Sequence, residues 1–407
     1  MEEMILQDIC KIYDCPHTTA KDEGVGIPLV RTPNVGKGRL VLTNVHRVNS
    51  DVYKKRTLRA IPEEDDIIIA REAPVGNAAI IQKKQKVCLG QRVVLLKPNK
   101  ALVDPNFLVY YLLSNEVQHH LKIHANGAVV AHLNVADIRN LSVCLPSLCE
   151  QKKIGKSLKI IDDKIELNRR INDNLEQQAQ ALFKSWFVDF EPFKDGKFVE
   201  SELGMIPEGC RVGKAEDFYN INIGKTPPRK EQVWFSSNSS DYIWVSISDL
   251  GSCGRFVLTS SELLTHEAIK KYNIILVPKD TILLSFKLTI GRVGIAGTEL
   301  TTNEAIARFI TSDKNREYTY FLLKGYNYEK LGSTSSIATA VNSKIIKAMV
   351  VLMPDKEILK AFSSLTKPYF DQILRNEQES IRLTILRDTL LPKLMSGELK
   401  INATEVL

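Results

Sequence analysis

The 407-residue sequence contains no apolar run near the roughly 18 residues needed to cross a bilayer, which argues against a helical membrane span. It opens on Met1-Glu2-Glu3-Met4, acidic and without an apolar stretch behind it, so no secretory signal is expected and the expected compartment is the cytoplasm. The seven cysteines are odd in number and scattered, unlike a disulfide framework. The two C-x4-C pairs, Cys10/Cys15 and Cys144/Cys149, are too loose for zinc knuckles, so buried reduced thiols are expected. His119, His120, His124 and His132 lie close in sequence but lack the cysteine or carboxylate spacing of a metal site, and no metal is expected. There is no G-x-x-x-x-G-K-[ST] loop and no H-E-x-x-H helix. The Asn-Pro-Pro-aromatic string of amino-group methyltransferases is also missing, since Thr226-Pro227-Pro228-Arg229 has the wrong flanks. Gly36-Lys37-Gly38-Arg39 is a lone glycine turn, better suited to a hairpin carrying two cations than to a nucleotide cradle. These absences leave no expected catalytic residue.

What is present is a mild cationic bias and a repeat. Net charge is +7, from 55 basic and 48 acidic residues, which favours anionic partners only slightly. The chain is too long for one ordinary core and suits two or three domains. Laid on itself, it matches over residues 134–187 and 342–395 at an offset of 208. Asn134 falls on Asn342, Pro146 on Pro354, Asp163 on Asp371, Ile165 on Ile373 and Leu182 on Leu390. Upstream, Gly36…Gly38-Arg39 parallels Gly251…Gly254-Arg255, and Val75-Gly76 parallels Ile290-Gly291, at offsets up to 216. A drifting offset points to insertions in surface loops, and a period near 210 residues points to domain duplication.

Each half has the same order. Short β-branched runs bounded by Gly and Pro predict strands at 67–70, 78–81 and 93–96, and at 274–277, 282–285 and 305–310. Helical stretches are predicted at 107–121 and 318–331, and strands ending in proline at 141–145 and 349–352. A long helix then closes each half. The first follows Pro146-Ser147, with Glu150 completing a capping box, and runs to about Phe187. Its apolar positions step by four and three, Ile154, Leu158, Ile161 and Ile165; Asn168 and Asn172 continue the rhythm, followed by Leu175, Ala179, Leu182 and Trp186. The matching positions after Pro354-Asp355 include Tyr369, Ile373, Asn376, Leu383 and Leu390. A helix of about 40 residues is roughly 60 Å long and needs a partner for its stripe. The other long helix is the expected partner, with Asn168 and Asn376 fixing register in the seam. The alternative is that each helix packs only on its own half. An antiparallel pair would set the two halves at opposite ends of a rod, as suits a reader of two DNA segments.

At this point the sequence resembles a known family, the specificity subunits (HsdS) of type I restriction–modification systems. The resemblance covers essentially the whole chain. It is carried by Asp14-Cys15-Pro16-His17-Thr18, by residues 154–187 (IGKSLKIIDDKIELNRRINDNLEQQAQALFKSWF), by Ser201-Glu202-Leu203-Gly204-Met205-Ile206-Pro207-Glu208-Gly209, and by the Leu390–Leu399 ending. Two positions depart from it. The family commonly has Trp where Cys210 stands, and the second half has lost much of the Asp-Asp-Lys-Ile-Glu-Leu-Asn character, reading Phe370-Asp371-Gln372-Ile373-Leu374-Arg375-Asn376. The resemblance implies an α/β (α+β) fold with two homologous target-recognition domains and an antiparallel two-helix coiled-coil spacer. The expected limits are 1–146 and 207–353 for the domains, 147–190 and 354–407 for the helices and tail, and 191–206 for a linker. It implies duplex DNA as ligand, two methyltransferase (M) subunits and the restriction/translocase (R) subunits as partners, and no catalysis by this chain. S-adenosylmethionine, ATP and Mg would be used by those partners.

For DNA, loops must supply phosphate contacts and base-edge readers. Candidate phosphate contacts are Lys37, Arg39, Arg47, Lys54, Lys55 and Arg56 in the first half, and Lys225, Arg229, Lys230 and Arg255 in the second. Candidate base readers are Arg31, Arg71, Arg92, Asn134, Lys287, Arg292, Asn303 and Asn342. For Lys54-Lys55-Arg56 the alternative is a solvated loop, and for Asn134/Asn342 a turn cap in both halves. Trp186 and Phe187 read as seam and linker anchors rather than base-stacking groups. The leading expectation is bipartite recognition of a gapped, asymmetric duplex target. The alternative is a degenerate scaffold that binds M subunits without reading DNA, and an enzyme with an unrecognised centre stands third.

Overall fold

The structure is a computed structural model that describes residues 2–125, 131–312, 314–331 and 341–401. Residues 402–407 of the expected tail lie outside the described residues. The chain separates into two compact units, Met1–Glu166 with Arg382–Leu407, and Leu167–Ile381. The division falls inside both long helices, so each unit holds one α/β domain and a stretch of each helix.

In the first unit the runs Ile67–Ala70 and Val93–Pro98 are buried along most of their length, as the middle of a sheet covered on both faces requires. They sit at the centre of a five-stranded sheet in the order Cys10–Asp14, Val93–Pro98, Ile67–Ala70, Ala78–Ile80, Gly38–Arg39. All neighbours are antiparallel except the last pair, which is parallel. Alternation along the strands sends Ile67, Ile69, Val94 and Leu96 to one face, with Phe107, Leu108, Ile154, Leu158 and Leu394 from the helices. Ile68, Ala70, Val93 and Leu95 face the other way, beside Val30, Val87 and Leu89 of a small second layer. That layer is Arg47–Val48, Ile27–Val30 and Cys88–Leu89.

The second unit repeats the plan. Its five-stranded sheet runs Asn220–Ile223, Ile306–Ile310, Ile282–Ser285, Val293–Ala296, Phe256–Val257, again with only the last pair parallel. The small layer gains one strand: Phe235–Ser236, Glu262–Leu264, Tyr242–Val245, Thr301–Thr302. The repeat extends to single hydrogen bonds. Gly76 and Gly291 both take positive φ, +83° and +89°. Their N–H groups donate to Ala70 and Ser285 carbonyls at 2.9 and 3.0 Å, turns for which the missing Cβ matters. Each domain is closed by an antiparallel pair of its first and last strands, Glu2–Ile5 with Ser142–Leu145 and Arg211–Lys214 with Val350–Met353.

Several predicted strands appear where the sequence places them, Ile67–Ala70 and Ile282–Ser285 among them. The stretch 274–277 is not a strand. Only Val277 pairs, with Leu300, because the Ile275 carbonyl accepts from the Arg308 and Thr301 side chains instead of a ladder. The stretch 107–121 divides into the helices Pro105–Leu112 and Asn115–Ile123, and 318–331 into Arg316–Lys324 and a 3-10 turn at Tyr328–Leu331. Not all thiols are buried: Cys144 and Cys149 are exposed and Cys253 is half-buried. Residues 198–207 form a hairpin, Phe198–Ser201 with Gly204–Pro207. Cys210 fills a small apolar cluster with Ile206 and Leu352.

The long helices are Leu148–Phe187 and Lys356–Met395, each 40 residues. Ser147 caps the first, its N–H donating to Glu150 at 3.1 Å, and Asp355 accepts from the Glu357 N–H at 2.8 Å. Their stretches run antiparallel in each unit, and partner numbers fall as the first rises. In the first unit Ile154 shares a core with Leu394, and Asp162 pairs with Arg387. In the second, Asn172 accepts from Asn376 Nδ2 at 2.8 Å, Asn168 donates to Glu379 at 2.8 Å, and Phe183 and Trp186 meet Phe362. The expected seam residues Ile154, Leu158, Asn168, Ile373 and Asn376 are buried. Ile161, Ile165, Leu175, Leu182, Tyr369, Leu383 and Leu390 are half-buried. Trp186 and Phe187 are anchors, stacked among Phe193, Tyr318 and Phe362.

The departure at Asp162/Phe370 has a packing reason. In the first unit the Asp162 carboxylate accepts from Tyr110 Oη at 2.7 Å and from Arg387 at 2.8 Å, and both charged groups are largely buried. The residues at the repeated positions in the second unit are Phe370, Phe321 and Ala179, an aromatic pair with centroids 5.6 Å apart beside a fully buried alanine. One copy solves the contact with charge and the other with apolar surface. Arg387→Ala should therefore destabilise by about 3–5 kcal/mol, because Asp162 is left buried and unpaired. The triple change Tyr110→Phe/Asp162→Phe/Arg387→Ala, which copies the second unit, should restore most of that loss in chemical denaturation.

Candidate nucleic-acid interface

On the sheet face away from the long helices, each unit places a short helix whose last turn is basic. In the first unit it is Ser50–Arg56, capped by Asn49, whose Oδ1 accepts from Asp51 and Val52 N–H at 3.0 and 2.9 Å. In the second it is His266–Lys271, capped by Thr265. Cations in the last turn complement the helix dipole, which lets a short helix carry them. Lys54-Lys55 of the one and Lys270-Lys271 of the other stand at equivalent places in the repeat. Lys270 and Lys271 were not among the sequence-derived candidates, although carrying the repeat's offset through this stretch would have found them.

Around the first helix end, Lys55 and Arg59 line a cavity of about 300 Å³ with Tyr13, Pro16, His17 and Thr18. Lys86 lies over the Tyr53 ring at 4.7 Å. Neither Arg59 nor Lys86 stood out in the sequence. Around the second, Lys225 Nζ donates to the Tyr272 carbonyl at 2.7 Å, and Lys271 lies 4.2 Å from the Trp234 ring. Arg229 pairs with Glu262 at 2.8 Å and stacks 4.5 Å from both Phe235 and Trp244, so its head group is held in place. Lys230 is exposed. Cations interleaved with aromatic faces suit a polyanion that also presents flat rings.

Other candidates have structural tasks. Arg56 is buried and donates only to backbone and hydroxyl oxygens, because the helix end turns it inward, which removes it from the Lys54-Lys55 surface. Arg39 is tied to Asp163 on the long helix. Arg255 is tied to Asp173 and Glu176 at 2.5 and 2.8 Å. These two matched arginines hold domain to helix. Burial would raise the Glu176 carboxyl, yet hydrogen bonds from Lys324 and Tyr320 and the Arg255 charge hold it below the usual range. Arg71 is buried among Asp14, the Leu133 carbonyl and His132. Arg92 is exposed at positive φ and pairs with Glu72 at 2.6 Å, which also meets His132. His119, His120 and His124 are exposed and apart from that cluster.

Arg47 donates to the Gly26 carbonyl and Arg292 to the Ile247 carbonyl, at 2.8 and 2.7 Å. Arg31 is half-buried, packed on Gly90. Lys37 faces a pocket shared with Tyr110, Asp162 and Arg387, beside the long helices rather than the basic helix end. Lys287 is exposed near Phe286. Asn303 accepts from the Ala305 N–H at 3.1 Å. Asn342 caps Ser343–Lys347 through Lys344 and Ile345 N–H, and Asn134 stands at the same place before Val135–Arg139. The repeated asparagine is thus a helix-start residue in both copies.

Comparison with known proteins agrees with this duplicated layout. The family described as "Type I restriction modification DNA specificity domain" matches twice, over residues 1–177 and 207–383. The chain therefore belongs to that family, with two copies of its domain. It is similar to the type I restriction enzyme MjaIX specificity subunit of Methanocaldococcus jannaschii, 29% identical over 365 residues, 87% of this chain and 82% of that one. It is also similar to the HindI specificity subunit of Haemophilus influenzae, 28% identical over 375 residues, 76% of this chain and 80% of that one. In fold it matches the crystal structure of a type I restriction–modification S subunit from M. genitalium, with TM-score 0.54, 14% identity, and 97% and 95% of the two chains covered. Among the described residues, no helix is long and apolar enough to cross a membrane.

Two substitution sets test the interface. Lys54→Ala/Lys55→Ala/Arg59→Ala and Lys270→Ala/Lys271→Ala should each weaken duplex binding and flatten its dependence on log salt, by about 2–3 and about 2 in slope. Arg39→Ala should lower stability without moving that slope. Fluorescence titration across a salt series reads the slopes, and chemical denaturation reads the stability.

Proposed function

We propose that this chain selects the DNA target of a type I restriction–modification enzyme by reading two half-sites, one with each domain. The observation that carries the reading is the pair of equivalent basic helix ends, Lys54-Lys55 and Lys270-Lys271, on two domains of one plan whose surrounding side chains differ. A shared plan gives a shared way of gripping phosphate, while different neighbours give different base preferences, so the target is gapped and asymmetric. Phosphate contacts hold the duplex and the loops beside them read base edges.

The chain performs no chemistry itself. Two M subunits dock on the paired helices, and R subunits complete the assembly. Docking is supported by apolar side chains that the helix pair leaves exposed in each unit: Ile160, Ile385 and Leu386 in the first, Leu167, Ile171 and Leu365 in the second. S-adenosylmethionine, ATP and Mg are bound by those partners, and the M subunits turn the target adenine out of the duplex to methylate it. The assembly works in the cytoplasm.

Methylome sequencing of cells expressing this chain with its M subunit should show methyl-adenine at a two-part motif with a fixed unspecified gap. An assembled complex that adds no methylation would replace the reading with that of a scaffold without DNA selectivity.

A further inference from the structure

Two buried arginines have no acidic partner among the described residues. Arg56, the last residue of the first basic helix, donates from Nε to the Leu89 carbonyl at 2.7 Å and from Nη1 to the Thr18 carbonyl at 2.9 Å. Its Nη1 also reaches Thr18 Oγ1 at 3.3 Å and its Nη2 the Pro16 carbonyl at 3.4 Å. Arg308, on the strand Ile306–Ile310, is 1% exposed. Its Nη1 donates to the Ile275 carbonyl at 2.9 Å and its Nη2 to the Ile223 carbonyl at 2.7 Å, while Nε has no partner. Burial pushes the Arg308 guanidinium down to about 10 and lowers Arg56 as well, so both stay charged near neutral pH. A buried cation without a counter-ion is costly and calls for a reason.

The carbonyls they hold supply one. Residues 16–18 follow the first sheet strand, Cys10–Asp14, and line the cavity with Lys55 and Arg59. Ile223 ends the corresponding strand, Asn220–Ile223, and leads into the loop carrying Lys225, Arg229 and Lys230. Ile275 lies just beyond the second basic helix, His266–Lys271. Each arginine therefore ties the loop after the first strand to the basic helix end. They do so from unrelated positions. By strand register Arg308 stands where the first domain has Leu95, since Leu283 pairs with Arg308 as Ile68 pairs with Leu95. In the repeat, Arg56 falls on Tyr272. The two clamps therefore occupy non-equivalent positions in the two copies of the domain.

We propose that Arg56 and Arg308 are positioning residues for the two reading faces, each fixing one loop against one basic helix so that a single half-site is read sharply. The inference rests on the DNA-reading function above. A guanidinium fork spans two carbonyls in a fixed plane, which a lysine ammonium on a flexible stem does not reproduce. Its unneutralised charge also lies beneath the surface that meets phosphate.

The test is selection of the purified full-length chain against a pool of random-sequence duplexes, followed by sequencing. The variants are Arg308→Leu, which installs the first domain's residue at that strand position, Arg308→Lys, Arg56→Met and Arg56→Lys. Each Arg308 variant should lose about tenfold discrimination at one half-site and keep the other, and each Arg56 variant should do the reverse. The lysine forms should not rescue, although they keep the charge and the salt slope. Retention of both half-sites in Arg308→Leu and Arg56→Met, full rescue by lysine, or equal loss of both half-sites would overturn the proposal. A wild-type chain that enriches no motif would instead overturn DNA reading itself.

Discussion

A 40-residue helix with an apolar stripe cannot stand alone in water, and this chain has two. Burying each stripe against the other helix is the constraint from which the rest follows. The inner sheet face of each domain packs on the same helices, so domain core and helix seam form one apolar cluster in each unit. Within the second unit's seam Asn376 donates from Nδ2 to Asn172 Oδ1, while Asn168 and Asn172 donate to the backbone carbonyls of Asn376 and Ile373. A slip by one turn would leave those amides facing apolar neighbours, so they define register at some expense of stability.

The duplication lets one side-chain problem be seen solved twice. Asp162, Arg387 and Tyr110 in one copy, and Phe370, Ala179 and Phe321 in the other, occupy the same place against the same kind of domain helix. Charge and apolar surface are comparable in net worth at such a site, because the attraction between buried ions is largely offset by their desolvation. Neither copy could adopt one half of the other's solution without leaving an ion unpaired or a void. Such a set works only as a whole, and Phe370 fits its copy because Phe321 and Ala179 stand where Tyr110 and Arg387 stand in the other.

Much of the architecture was legible in the residues. Continuous β-branched runs bounded by turn residues, and a period-seven apolar pattern, carry burial directly, so strands such as Ile67–Ala70 and the long helices with their seam could be placed from the residues alone. The reading faces were legible only in part. Lys54 and Lys55 are on the surface as their helical spacing allows, but Arg56, next in the chain, points inward. Nothing local distinguishes the three, because the direction of Arg56 depends on carbonyls of residues 16, 18 and 89 that only the fold brings near. Arg39 and Arg255 read as phosphate contacts for the same reason, since their carboxylates lie far away in sequence. The missing strand at 274–277 is a further case, in which a side chain from residue 308 captures a carbonyl that local pattern assigned to a ladder.

The helix seam also has a temporal side. The helix Leu148–Phe187 is synthesised well before its partner, which is complete only at Met395, about 200 residues later. At ribosomal rates of about 5–20 residues per second that interval is roughly 10–40 s. Throughout it, Leu158 and the inward-facing aromatic residues near Phe187 have no complete seam to enter, while the first domain's strands are already able to pair. The nascent chain thus carries an amphipathic helix whose apolar stripe stays partly uncovered until its partner is complete. Prompt completion of the last forty residues is what returns that surface to its own molecule.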